Sequence, residues 1–298
     1  MRDALDTGLV ALPVRERFQP LVTETTPSDE VRMGSVRMSG MTGNFGGAAG
    51  FYAKSRPGYP AELFDLLVGE TPLDASSVVL DLGCGTGLAS LPLAARVRLV
   101  VGVDPDPGML AEAASSAQGL PNVRWVCSPA EEYDEQPGRF DLIIIGSAFH
   151  WMNRPLVANR SYRLLRPGGL LAIASNPTPL LQIRDQEGVG AAIAAVQDRW
   201  FPDARRLKPG APRLASNEQI LGDSPFRHTV VHEVPTRQEW NIERLLDFLR
   251  STSWRSDQAL GPRFDEFAGE VEQAVRSVEP SGQWSLEAPA RIVMARRA

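Results

Sequence analysis

The stretch Val78-Val-Leu-Asp-Leu-Gly-Cys-Gly-Thr-Gly87 limits what this chain can fold into more than any other. Val78, Val79, Leu80 and Leu82 form a near-continuous apolar run, the pattern of a strand covered on both faces in a parallel sheet. Gly83, Gly85 and Gly87 then let the chain turn sharply, because residues without a Cβ accept left-handed backbone and allow a ligand close to the main chain. A helix is expected to open near Leu88, with Pro92 tolerated only close to its start. Such a strand-turn-helix offers N–H groups to an electron-rich ligand atom, so a nucleotide-like cofactor is expected here.

The spacing narrows the cofactor class. A dinucleotide site reads Gly-x-Gly-x-x-Gly, with its third glycine three residues after the second. Here the third glycine follows Gly85 by two positions, and Leu88 stands where the dinucleotide pattern needs glycine. Asp81 precedes Gly83 by two residues, where an acid would repel a pyrophosphate but attract an ammonium group. A zwitterionic ligand fits better than a diphosphate.

Further strands are expected near residues 98–104, 122–127, 140–146 and 170–175, with helices between them. Ala61-Glu-Leu-Phe-Asp-Leu-Leu-Val68 reads as a short amphipathic helix. Asp106 is an N-cap before Pro107, with Gly119 as the stop. Pro155 opens a helix expected to run to Arg166-Pro-Gly-Gly169, with arginines near its negative end. This alternation implies an α/β fold, a Rossmann-like doubly wound sheet with helices on both faces. Phe226–Val234 and Ala290–Ala295 read as two later strands. The segments at about 176–225 and 236–288 exceed minimal connections and carry helical periodicity. It runs through Val189, Ile193, Val196 and Trp200, through Ile242, Leu245, Leu246 and Leu249, and through Phe264, Phe267, Val271, Val275 and Val278. Residues 1 to about 45 lack periodicity and read as a mobile arm or an over-long start, with a dimer-forming arm as the alternative. Residues 46–298 are then one domain.

At this point Asp81-x-Gly83-x-Gly85-x-Gly87 resembles the first motif of class I S-adenosylmethionine-dependent methyltransferases. Leu99-Val-Val-Gly-Val-Asp104 resembles that family's second strand and its terminal acid, about twenty residues on, where the sheet logic places it. Phe140-Asp-Leu-Ile-Ile-Ile-Gly146 resembles the fourth strand, and Leu164 to Ala174 the turn into the fifth. Tyr52-x-x-x-Arg56-Pro-Gly-Tyr-Pro60 and Ser147-Ala-Phe-His-Trp151 resemble the small-molecule enzymes related to trans-aconitate methyltransferase. The resemblance covers residues 45 to 175 well and the rest weakly. It implies a mostly parallel sheet closed by a C-terminal antiparallel hairpin, S-adenosyl-L-methionine as cofactor, and helical insertions capping a small-molecule acceptor. Methyl transfer to oxygen or nitrogen in a tailoring pathway is the function it suggests.

The same resemblance assigns roles. Asp81 and the backbone of Gly83, Gly85 and Gly87 hold the amino-acid end of the cofactor, Arg56 meets its carboxylate and Tyr52 closes over it. Asp104 accepts from the ribose hydroxyls, and Met109 packs on the adenine. Relatives often carry Asp-Ala after the third strand. In Ser128-Pro-Ala-Glu131, Pro129 replaces that aspartate, which leaves the Ala130 backbone and Glu131 for the adenine edge. Ser147 borders the cofactor, while Phe149, His150 and Trp151 face the acceptor. Trp254, in Ser251-Thr-Ser-Trp-Arg255, joins the acceptor wall. Two readings of His150 stand: a general base for the acceptor's proton, or a lining residue.

Bulk properties exclude other classes. A net charge of -5 and a pI near 5.4 argue against nucleic-acid binding, which leaves a basic patch. Cys84 and Cys127, the chain's two cysteines, make neither a disulfide framework nor a metal cluster, which suits a reducing cytoplasm. No apolar run approaches the roughly 20 residues of a membrane helix, and no signal-peptide core is apparent. A cytoplasmic monomer or homodimer is expected. His228 and His232 read as one face of a strand without a carboxylate cluster, so metal independence is expected. The alternatives are a non-catalytic cofactor-binding module and a nucleotide-dependent oxidoreductase.

Overall fold

The computed structural model describes residues 49–176, 188–202, 215–252 and 260–298. The expected N-terminal arm and Trp254 lie outside the described residues. After helix α1 (Ala49–Ser55) and helix α2 (Ala61–Glu70), strand and helix alternate. The order is β1 (Val78–Leu82), α3 (Ser90–Ala94), β2 (Leu99–Asp104), α4 (Pro107–Ser116), β3 (Val123–Cys127), β4 (Phe140–Gly146), α5 (Arg154–Leu164) and β5 (Leu165–Ser175). The later elements are α6 (Val189–Trp200), α7 (Asn217–Gly222), β6 (Val230–Val234), β7 (Arg237–Asn241), α8 (Ile242–Arg250), α9 (Phe264–Val278), β8 (Gln283–Glu287) and β9 (Ala290–Arg296).

Seven strands form one sheet in the order β3-β2-β1-β4-β5-β9-β6. The first five run parallel, β9 is antiparallel to β5, and β6 is antiparallel to β9. The strand order reverses at β1, so Asp81 lies between Gly102 of β2 and Ile144 of β4, at the crevice where open α/β sheets bind ligands. Alternation along each strand divides the core. Leu80, Leu82, Val101, Val103, Ile143 and Ile145 face one layer, packed with Val157 and Leu164 of α5. Val79, Val100, Leu142 and Ile144 face the other, against Leu63, Leu67 and Leu93. Both faces are apolar because helices cover both.

Three local expectations change. The helix opened at Pro155 stops at Leu164, and Leu165 to Gly169 belong to β5. Pro167 cannot continue a helix, Gly168 takes φ +76, and Arg166 pairs with Asp141 of β4. The strand expected from Phe226 begins at Val230, because Arg227 takes φ +63. His228 therefore precedes the strand that carries His232, and the two do not share a strand face. A two-stranded pair, β7 with β8, was not anticipated. Its alternation is polar on the exposed side, with Gln238 and Trp240 buried between exposed Arg237, Glu239 and Asn241.

That pair is the stem of the second insertion, entered and left at Pro235 and Pro289. Above it α6, α8 and α9 enclose a core of their own, with Ile193, Leu245, Phe248, Phe264, Phe267 and Val271. The first insertion divides. Its α6 joins this cap, whereas Leu221 of α7 and Phe226 beyond it pack into the main core. A capping box, Ser216 with Gln219, opens α7.

Candidate functional site

The turn after β1 has the backbone its sequence demands, with φ of +70 at Gly83, +53 at Gly85 and +86 at Gly87. A Cβ on Gly83 would stand 2.6 Å from the Ala148 Cβ, whereas one on Gly85 would meet nothing within 4 Å. Gly83 is thus needed for packing, and the space over Gly85 is open to a ligand. The turn's amides are largely committed inside the protein. Gly83 N and Cys84 N donate to the Val103 carbonyl, Gly87 N to the Cys84 carbonyl, and Gly85 N to Asp104 Oδ2 at 2.9 Å. With these four amides taken, they are not what the turn offers a ligand. It provides room.

Asp81 supplies the polarity. Its side chain is 1% exposed, Oδ2 accepts from Ser90 Oγ at 2.6 Å, and Oδ1 is buried with no hydrogen-bond partner. Burial, reinforced by the charge of Asp104 and opposed by Ser90, raises its pKa to about 7. An orphaned carboxylate oxygen at the wall of a cleft calls for a donor from a ligand. The cleft is bounded by Tyr52, Tyr59, Asp81, Gly83, Gly85 and Leu88. Through Tyr52, Tyr59 and Leu88 it meets a second cleft that adds Arg56, Pro57, Ser147 and Asn176.

Arg56 follows α1 and packs against two rings, 4.8 Å from the Tyr52 centroid and 4.5 Å from that of Phe248. Its Nε donates to Ser251 Oγ at 3.1 Å. Desolvation lowers its pKa, with Tyr52 and Tyr59 opposing. Ser147 takes φ +53 just beyond β4. It shares a 3.1 Å hydrogen bond with the Tyr59 hydroxyl and accepts from Asn176 N at 3.2 Å. Gly146 lacks a Cβ where one would lie 2.7 Å from the Tyr59 hydroxyl. Burial raises the Tyr59 pKa far above the ordinary phenol value, so it stays protonated.

Asp104 ends β2 as expected, but both its oxygens already hold backbone amides, Gly85 N on Oδ2 and Asp106 N on Oδ1. A carboxylate has about four lone-pair positions, so a diol can share them with the turn. Asp106 caps α4 through Gly108 N and Met109 N. Met109 is buried and outside the residues bounding either cleft. Ala130 packs in the main core, and Glu131 accepts from Asn153 N at 2.6 Å, tying the third strand's exit to the start of α5.

The Phe149–Trp151 turn splits its expected roles. Phe149 is 2% exposed and belongs to the main core, which corrects its assignment to the acceptor wall. His150 and Trp151 are exposed, with ring centroids 5.0 Å apart. Partial desolvation, then the charges of Arg154 and Arg56, push the His150 pKa below its ordinary value. Tyr59 and Asn176 are two polar cleft residues to which the sequence assigned no role. Tyr59 lay inside a quoted motif, whereas Asn176 carries no local signal. Two contacts fix its amide, Nδ2 donating to the carbonyls of Pro57 at 2.7 Å and Gly58 at 2.9 Å, and its Oδ1 is buried and unpartnered.

Among the described residues no helix is long and apolar enough to cross a membrane, and no group of three or more His, Cys, Asp or Glu is placed to hold a metal ion. Residues 79–169 match the methyltransferase domain family. An uncharacterized methyltransferase of Mycobacterium tuberculosis is 36% identical over 136 residues, 46% of this chain and 53% of its own length. Trans-aconitate 2-methyltransferase of Deinococcus radiodurans is 38% identical over 117 residues, 38% of this chain and 42% of that protein. The ubiquinone biosynthesis O-methyltransferase of Rhizobium etli is 29% identical over 177 residues, 57% of this chain and 68% of that protein. The chain spans about half the length of the first two. Asp81, the glycine turn and Asp104 all lie inside the stretch that matches the methyltransferase domain family, at the reversal point of a Rossmann-like sheet.

Proposed function

We propose that this protein transfers a methyl group from S-adenosyl-L-methionine to an oxygen or nitrogen atom of a small molecule, in a tailoring step of a biosynthetic pathway. The observation that carries the reading is the unpartnered Asp81 Oδ1 in a cleft continuous with the one that Arg56 borders. An acid and a guanidinium along one crevice suit the ammonium and carboxylate of an amino acid. The named relatives support the transferase part, two of them being a trans-aconitate and a ubiquinone-pathway methyltransferase.

When bound, the cofactor would supply an electrophilic methyl group, with the thioether S-adenosylhomocysteine as its leaving group. The chain's task is placement, which can supply roughly 7–11 kcal/mol of the barrier. Asp81 holds the ammonium, Arg56 the carboxylate, and Asp104 shares its free lone pairs with the ribose. Tyr52 and Tyr59 keep water from the junction of the two clefts. His150, neutral at pH 7 because its pKa is lowered, can accept a proton at an imidazole nitrogen from an acceptor hydroxyl or ammonium. The alternative is that His150 only lines the acceptor site beside Trp151.

Calorimetry with S-adenosylhomocysteine, run beside NAD, tests the donor. Binding of the thioether alone is expected, and binding of NAD alone would overturn the reading. Incubation with the methyl donor and a metabolite extract, read as a 14 Da mass gain, tests for transfer.

A further inference from the structure

We infer that the inserted helix α8 is part of the cofactor clamp, Phe248 and Ser251 acting as positioning residues that aim the Arg56 guanidinium at the cofactor's carboxylate. The inference rests on the donor reading above and changes the expected role of the insertion, which was acceptor choice.

The geometry is that of a cation held by three contacts. Two rings pack on the guanidinium, Tyr52 from α1 with its centroid at 4.8 Å and Phe248 from α8 at 4.5 Å. Ser251 Oγ occupies Nε and is itself anchored by donating to the Phe248 carbonyl at 2.7 Å. Phe248 and Ser251 are fully buried, so neither is free to follow a moving arginine. With plane and Nε fixed, the terminal nitrogens remain for a ligand, and a planar fork recognises a carboxylate through two parallel hydrogen bonds. Among the described residues no carboxylate of the chain pairs with Arg56, although it borders the second cleft. An arginine on a free helix would lose much of its binding energy to ordering its own side chain.

The contact between α1 and α8 is broader than one residue. Arg244 Nε donates to the Ser55 carbonyl at 3.3 Å, and the Arg250 guanidinium lies 5.5 Å from the Phe51 ring centroid. The insertion therefore grips α1, which carries Tyr52 and leads directly into Arg56. Since α8 belongs to the cap core with α6 and α9, the cap as a whole sets the arginine's position.

The test is calorimetry with two probes, S-adenosylhomocysteine and its decarboxylated analogue, in which hydrogen replaces the α-carboxylate. The wild-type chain is expected to prefer the first by about 10- to 100-fold, the span of a charge-assisted hydrogen bond. R56Q should remove that preference. S251A and F248L should reduce it by about 3- to 10-fold while leaving the analogue's affinity unchanged. S251T, which keeps the hydroxyl, should restore it. Equal losses on both probes would show that α8 is only scaffold and would overturn the inference, as would a wild type indifferent to the carboxylate. A wild type that binds neither probe would instead sink the donor reading itself.

Discussion

Asp81 is the residue on which most of the site's chemistry turns. Its folded pKa is raised from 3.8 to about 7 by burial and by Asp104. Between those values the empty protein holds a proton that the unfolded chain releases, so the Asp81 contribution to stability falls as pH rises from about 4 to about 7. A bound ammonium has the opposite preference, because it needs the carboxylate ionised. S-adenosylhomocysteine affinity should therefore weaken as pH falls through 7, approaching tenfold per unit, with proton release visible as buffer-dependent heat. D81N should flatten that dependence and weaken binding at pH 8 by about 10- to 100-fold. A pH-independent wild type would remove Asp81 from the ammonium site. His150 answers to a different measurement. If it takes the acceptor's proton, H150A should lower kcat by roughly 10² to 10⁴ while cofactor affinity holds, and a loss below about tenfold would leave it a lining residue.

At the scale of elements, close packing around the glycine turn governs stability. Gly102 of β2 sits beneath the Trp125 ring, and a Cβ there would lie 2.4 Å from Trp125 Cζ3. The ring cannot step aside, because it is 6% exposed and packs with Cys84, Leu110 and Ala113 beside the turn. G102A should destabilise the fold by about 1–3 kcal/mol in urea titration. A neutral result would mean that the ring repacks freely. Strands such as Val78–Leu82 and Phe140–Gly146 were legible because apolar runs between turn residues have few other outcomes. The β7–β8 pair was not, since half of its alternation is charged and its partner strand lies more than forty residues away. The early start of β5 was missed for a related reason. Arg166 looked like a helix-terminal charge, and only the neighbouring Asp141 makes it a strand residue.

The whole molecule is a sheet with two covered faces and a cap with its own core, joined where α1 meets α8. Cofactor binding should then protect more than the glycine turn. At a ligand concentration about 100 times Kd the gain is about 2.7 kcal/mol, and hydrogen exchange should slow in residues 49–56 and 242–251 together with 80–90. Slowing confined to residues 80–104 would show that the cap does not share the binding energy. The turn, Asp81 and Asp104 were readable from sequence alone because short-range sterics dictate them: glycines for positive φ, an acid at each strand end beside the crevice. The sequence likewise sufficed for the β-α alternation and the reversal point it implies. Folding in three dimensions decided that Phe149 is core, that Asp104 is already shared with the turn, and that Asn176 lies against the Pro57 and Gly58 carbonyls. It also decided that Arg56 meets Ser251, 195 residues further along the chain. Local pattern records which backbone a segment will adopt, whereas burial, satisfaction of polar atoms and ring stacking depend on neighbours that only the closed sheet and its cap bring together.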